Sequence, residues 1–318
     1  MDYFDFNLAG PPEGLDAIEH IMDTGVGTPM ERPNAERGIT IDVSTTFQPT
    51  VLVDNLLPDL VLVSSDHVHF YVHRHLILAA SCNAFDGFLT PTPPPSDGST
   101  PTVAVPEPAD VLNIVVHAIY GLPVAQFVPP FETVSAAFDA LLAYGVALHP
   151  LVLPGSPLHV LVLSQAPLRP IEAYALAAHH DLYALAVPVS SHLLSYALSE
   201  LTDDLAARIG PIYLKRLFFL HNGRMEALKG LLLHPPRGHD PTRECNTAQQ
   251  QRLTRAWALA SAHLVWDARP TATDISTSLL QAPLLHLERE LTCPLCRGAL
   301  RDRVAILVRE WASVKVTI

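Results

Sequence analysis

Residues 59–89 read DLVLVSSDHVHFYVHRHLILAASCNAFDGFL, and this stretch decides the fold. Asp59 to Ser65 is built of valine and leucine closing on two serines, and His69 to Val72 alternates, so each half reads as a strand. Asp66-His67 fits a turn between them, which predicts a β-hairpin. From Arg74 the period changes. Leu76, Ile77, Ala80 and Phe85 fit a helix followed by a short second helix. Cys82 falls inside this helical stretch and is expected in the core.

Working outward, Pro91 to Pro101 is rich in Pro, Ser, Thr and Asp and reads as a loop; Thr102 to Val105 is a short strand. A helix opens at Ala109-Asp110 and runs to Tyr120, with Val111, Ile114, Val115 and Ala118 on one face and Gly121 closing it. Phe131 to Leu148 predicts another amphipathic helix, striped by Val134, Phe138, Leu141, Leu142 and Leu148. Pro150, Pro154, Pro157, Pro167 and Pro170 predict an extended, proline-broken connector with short edge strands. Helices resume at Ile171, and Pro188 is expected near the start of the next one. Beyond Glu200 the pattern is helical. Thr202 before Asp203 and Asp204 marks a helix start, and Gly210-Pro211 and Asn222-Gly223 are expected breaks. A polar loop from His234 to Thr247 precedes a helix at Leu253–Val265 that holds Trp257 and Leu264. The last helix, from about Arg297, is expected to bury Leu300, Val304, Leu307, Val308, Trp311 and Val314. The fold class is therefore α+β. Residues 1–50 read as a disordered acidic tail, residues 51–200 as a mixed domain with an insertion at about 122–170, and residues 201–318 as a helical domain. Tyr3-Phe4-Asp5-Phe6 is either a short docking peptide or simply part of the tail.

The 318 residues carry a net charge of −12 with 49% hydrophobic residues and a mean hydropathy of +0.24. So apolar a chain has a large core or apolar surface that a partner covers. No run of about 18 apolar residues is free of charge and proline, so no membrane contact is expected. The opening MDYFDFNLAG lacks the pattern of a secretory signal, and four cysteines make no disulfide framework. A cytoplasmic or nuclear location is expected. The acidic total argues against nucleic acid. The mild basic bias of Arg289, Arg297, Arg301, Arg303 and Arg309 reads as a solvated helix face.

Asp59-Leu60-Val61-Leu62-Val63, Phe70, Val72-His73-Arg74, Leu76, Leu78-Ala79-Ala80-Ser81, Phe85 and Phe88 resemble the BTB/POZ signature. TVAVPEP at 102–108 and DVLNIVVHAIYG at 110–121 resemble that family's acidic turn and its helix ending in Tyr. The likeness spans about Leu57 to Gly121. Farther on, RPIEAYALAAHHDLYALA (169–186), ARIGPIYLKRLFFLH (207–221) and CPLCRGALRDRV (293–304) resemble a group of basidiomycete fungal BTB proteins. The resemblance implies a short mixed sheet flanked by helices that dimerises or binds cullin scaffolds through apolar helices. It places Asp59 and Arg74 near a dimer groove. The competing reading is that Asp59 caps the hairpin entry and Arg74 the helix start. The chain departs from the family in the long spacing from Leu122 to Leu182, and it carries no kelch-type repeats or tandem zinc fingers.

Cys293-Pro294-Leu295-Cys296 is the sharpest chemical motif. Two thiolates at this spacing grip zinc, and Cys245 with His239 would complete a Cys₃His set for one structural ion. A RING finger needs eight ligands, and no Cys or His follows Cys296. A redox pair at a helix start and plain core packing remain alternatives. His67, His69, His73 and His75 also look like a metal cluster, though the BTB resemblance accounts for His73. There is no glycine-rich phosphate loop, HExxH or GxSxG. The expectation is a non-enzymatic interaction scaffold that pairs with itself and recruits a cullin or a transcriptional co-regulator. The alternative is a zinc-dependent regulatory protein whose C-terminal tail contacts nucleic acid.

Overall fold

The computed structural model describes residues 42–89, 100–267 and 276–318. It is a mixed α+β structure with one small sheet and a long helical remainder. The hairpin forms as the pattern predicts. Leu60–Val63 (β2) and Val68–Val72 (β3) pair antiparallel, with Leu60 opposite Val72 and Leu62 opposite Phe70. His67 takes the left-handed backbone of the turn (φ 66°). Thr102–Ala104 (β4) lies parallel to β2, and Asp42–Val43 (β1) lies parallel to β3, giving the order β1-β3-β2-β4. Order is therefore already present at Asp42, within the stretch expected to be tail, and Phe47 is buried in the core. Tyr3–Phe6 and most of the Pro91–Pro101 loop lie outside the described residues.

Two helices pack against this sheet, Arg74–Ala80 (α1) and Ala109–Tyr120 (α2). Neither is capped by a side chain at its own N-terminus. Carboxylates from the sheet serve instead: Asp59 accepts the N–H of Arg74 at 2.7 Å, and Asp66 accepts the N–H of Ala109 at 2.9 Å. The hydroxyl of Ser64 also donates to Asp66, and these bonds hold that carboxyl below its ordinary range. Gly121 closes α2 in the left-handed conformation, φ 67°.

At the junction sits His73, buried at the mouth of α1. Tyr120 Oη accepts the His73 backbone N–H at 2.7 Å and donates to Nδ1 at 2.9 Å, while Nε2 donates to the Leu56 carbonyl at 3.0 Å. One neutral tautomer satisfies all three bonds. Burial pushes the Tyr120 phenol up to about 12, so it stays a donor.

Several expectations are corrected. The short second helix after α1 does not form. Ala84, Phe85, Asp86 and Gly87 all have positive φ, and Phe85 is anchored by stacking on Tyr144 at 3.8 Å between ring centroids. Cys82 is exposed rather than core, because α1 ends before it. The helix expected over 131–148 stops earlier, as Phe131–Ala143 (α3), because Gly145 turns the chain at φ 70°. A Cβ there would lie 2.6 Å from the Asn83 side chain. Leu142 is exposed, and Leu148 belongs to a separate turn, Leu148–Leu151 (α4). The proline-rich connector is also helical. Pro157 opens Pro157–Gln165 (α5) and Pro170 opens Pro170–His179 (α6), each in the first turn, where a missing N–H costs nothing. Pro188 lies inside Tyr183–Ser190 (α7).

Asp203–Leu232 (α8) starts at a Thr202 cap and kinks at Gly210, but runs straight through Asn222-Gly223. Its first part, with Ile209, Tyr213, Leu217 and Leu220, packs into the core that begins at Phe47. Its second part, with Leu228 and Leu232, belongs to another core, shared with Thr247–Asp267 (α9), Thr277–His286 (α10) and Pro294–Ala312 (α11). The two cores meet inside α8, past the expected division at residue 201. A last segment ties them together. Arg224 donates to the Val314 and Lys315 carbonyls and stacks over Trp311, and the N–H of Ile318 reaches Ser190 Oγ at 3.0 Å.

Replacing Tyr120 by Phe leaves two buried groups of His73 unpaired. Urea unfolding of Tyr120→Phe is expected to show a loss of roughly 1–3 kcal/mol, with an unchanged denaturant slope. A loss near zero would contradict this account of the junction.

Candidate metal centre

Four side chains expected from the sequence to form one set do converge. His239 and Cys245 come from the loop between α8 and α9; Cys293 is the residue preceding α11, and Cys296 sits in its first turn. His239 Nε2 lies 3.4 Å from Cys293 Sγ and 3.3 Å from Cys296 Sγ, and Cys245 Sγ is 3.6 Å from Cys296 Sγ. All four ligand atoms fall within 4.8 Å of one another. Tetrahedral zinc with Zn–S near 2.3 Å and Zn–N near 2.0 Å requires separations of about 3.8 Å between sulfurs and about 3.6 Å from sulfur to nitrogen. These three spacings are within a few tenths of an ångström of that set, and the remaining pairs lie within 4.8 Å.

The shell around the site fixes the donor atoms. His239 Nδ1 donates to the Asp240 carbonyl at 2.7 Å, which leaves Nε2 as a bare lone pair facing the sulfurs. Gln250 on α9 accepts the His239 N–H at 3.1 Å and donates to its carbonyl at 2.8 Å. Gly238 makes room for that clamp, since a Cβ would lie 2.7 Å from Gln250 Oε1. A tight turn through Thr242 seats Cys245.

The three thiols are buried and free of disulfides. The backbone N–H groups of Cys296 and Leu295, at the start of α11, draw the Cys293 thiol down to about 7. Burial, then the neighbouring thiols, push Cys296 up to about 12, and burial raises Cys245 as well. One thiolate forms readily and the other two are held back. A bound cation supplies the charge that lets all three ionise together. Plain packing gives no reason for an imidazole anchored at one nitrogen to aim the other between two sulfurs. Residues His239, Cys245, Cys293 and Cys296 are thus arranged to hold a metal ion, which would clasp the loop to the start of α11.

The other candidates fare differently. Asp59 and Arg74 meet through the Arg74 backbone, and the Arg74 guanidinium donates to the Leu89 carbonyl at 3.1 Å. His67, His69, His73 and His75 do not form a ligand set, since both ring nitrogens of His73 are bonded within the junction. Several arginines of the basic run are tied within the protein: Arg297 to the Leu291 carbonyl, Arg301 to Glu288, and Arg303 to Leu231, His234 and Glu310. The sequence reading missed Gln250, whose place in a run of three glutamines carries no spacing signal. Among the described residues, no helix is long and apolar enough to cross a membrane. In comparisons with known proteins, no family model, curated protein or solved structure matches the chain.

Gln250→Ala is expected to weaken divalent-metal affinity about 10–100-fold, as loss of an outer-shell partner does. Competition against a chromophoric chelator measures it, and an unchanged affinity would contradict the role given to the clamp.

Proposed function

We propose that the chain is a non-enzymatic protein-interaction scaffold with a BTB/POZ-like first core that self-associates, and a second core closed by one structural zinc. One observation carries the self-association. Leu52, Leu56 and Leu57 stand 60, 52 and 61% exposed immediately before Asp59, beside the His73 junction. Three leucines exposed within six residues of the segment leading into β2 are suited to burial against a partner. The partner proposed for them is a second copy of this chain, as the BTB-like order of hairpin, α1, β4 and α2 suggests. Asp59, two residues after Leu57, and Arg74, whose N–H it accepts, would set the register of the pair more than its strength. The metal clasp supports a scaffold rather than a catalyst, because all four protein ligands are spoken for and a four-coordinate site of this kind is structural. Zinc suits three thiolates and an imidazole in tetrahedral array. The partner class, a cullin or a transcriptional co-regulator, is a further part of this proposal. The alternative of a tail that contacts nucleic acid is disfavoured by the net charge of −12 and by the internal bonds of Arg297, Arg301 and Arg303.

Sedimentation of the full chain is expected to give a dimer at high micromolar concentration. The double variant Leu52→Asp/Leu57→Asp should sediment as a monomer with unchanged circular dichroism. A wild-type monomer would overturn the self-association. Metal analysis of protein purified without chelator should give zinc at the Cys₃His site, lost in Cys245→Ser/Cys296→Ser. Equal zinc in the two proteins would overturn the clasp. Pull-down with cullin and co-repressor baits separates the two partner classes.

A further inference from the structure

A second group of metal-ligating side chains lies far from the cysteines, in the first core. His179 ends α6, His180 follows it, and Asp139 stands on α3, with one ligand atom from each within 4.8 Å of the others. His180 is the informative member. Its side chain is only 2% exposed, yet Nε2 makes no hydrogen bond; it faces Asp139 Oδ1 across 3.5 Å. Phe138 walls the ring at 5.7 Å between centroids, and the His179 ring stands edge-on to it at 4.9 Å. A buried ring nitrogen without a bonded partner is costly. Here it points at a carboxylate and lies beside another imidazole.

We infer that Asp139, His179 and His180 form a second binding site, for a borderline divalent cation of the zinc or nickel class, joining α3 to α6. Two imidazoles and a carboxylate are the donor set such ions take, with a position left open to water. Zinc at about 2.0–2.2 Å from nitrogen and oxygen needs a separation near 3.3 Å, close to the 3.5 Å seen between His180 and Asp139. Asp139 and His179 are exposed and can close the remaining distance by rotation. Arg208 opposes a cation there: its guanidinium donates to Ser135, one turn before Asp139 on α3. With that charge nearby and solvent on one side, the site binds more weakly than the Cys₃His set.

The test is equilibrium dialysis of the full chain against Zn²⁺, wild type beside Asp139→Asn/His179→Gln. Both altered side chains are exposed, so the variant keeps its fold, and buried His180 is left in place. The wild type should hold one more zinc per chain than the variant at micromolar free metal. Zinc should also raise the melting temperature of the wild type further than that of the variant. Asp139→Asn alone should weaken this second binding step at least about 10–100-fold. Identical stoichiometry and identical stabilisation in wild type and double variant would overturn the site. Both proteins carry the same cysteines, so failure of the Cys₃His clasp would lower both stoichiometries alike and leave the difference readable.

Discussion

A single buried imidazole organises the first core. His73 sits where β3 gives way to α1, and its three hydrogen bonds reach Tyr120 at the far end of α2 and Leu56 in the segment before β2. Polar groups taken out of water must be satisfied or they destabilise the fold. With all three satisfied, the hairpin, both helices and the leucine-bearing segment at 52–57 have one mutual arrangement. The carboxylates of Asp59, just before β2, and Asp66, in the turn between β2 and β3, repeat the device on a smaller scale, since each closes the open end of a helix. The sheet thus positions the helices through polar bonds as well as through apolar packing.

The second core relies on a different constraint. It is small, and its helices meet around a few large residues such as Trp257, Leu300 and Trp311. The loop carrying His239 and Cys245 has little apolar surface of its own; Arg303 ties its start at His234 to α11, and a metal on the ligand set would clasp the rest. Between the cores, α8 is the shared element, and Arg224 with the 314–318 segment braces it from the other side. In the proposed reading, a scaffold of this form would present its docking corner from one core, while a metal at the ligand set would keep the other compact.

Much of this was readable from the residues. Strand alternation in DLVLV and HFYV, the Asp66-His67 turn, Gly121 and Thr202 are local signals whose physics does not depend on the rest of the chain. The Cys₃His set was legible because cysteines are scarce here, so one CxxC and one upstream thiol leave few combinations. The failures were nonlocal. Pro157 and Pro170 look like breakers until the helices they open are known. Gly145 ends α3 beside Asn83, which lies far back in the sequence and comes close only in the fold. Asp139 meets His179 and His180 only once α3 and α6 are packed together, and Gln250 matters only once the His239 loop lies against α9.

The central claim is that the His73 junction holds an apolar corner in place for a second copy of the chain. Hydrogen–deuterium exchange of the full chain at submicromolar and at high micromolar concentration tests it directly. Residues 60–72 and 110–120 should be protected at both concentrations, and residues 51–58 should gain protection only at the higher one. Free exchange across the hairpin and α2, or a segment 51–58 indifferent to concentration, would contradict the account.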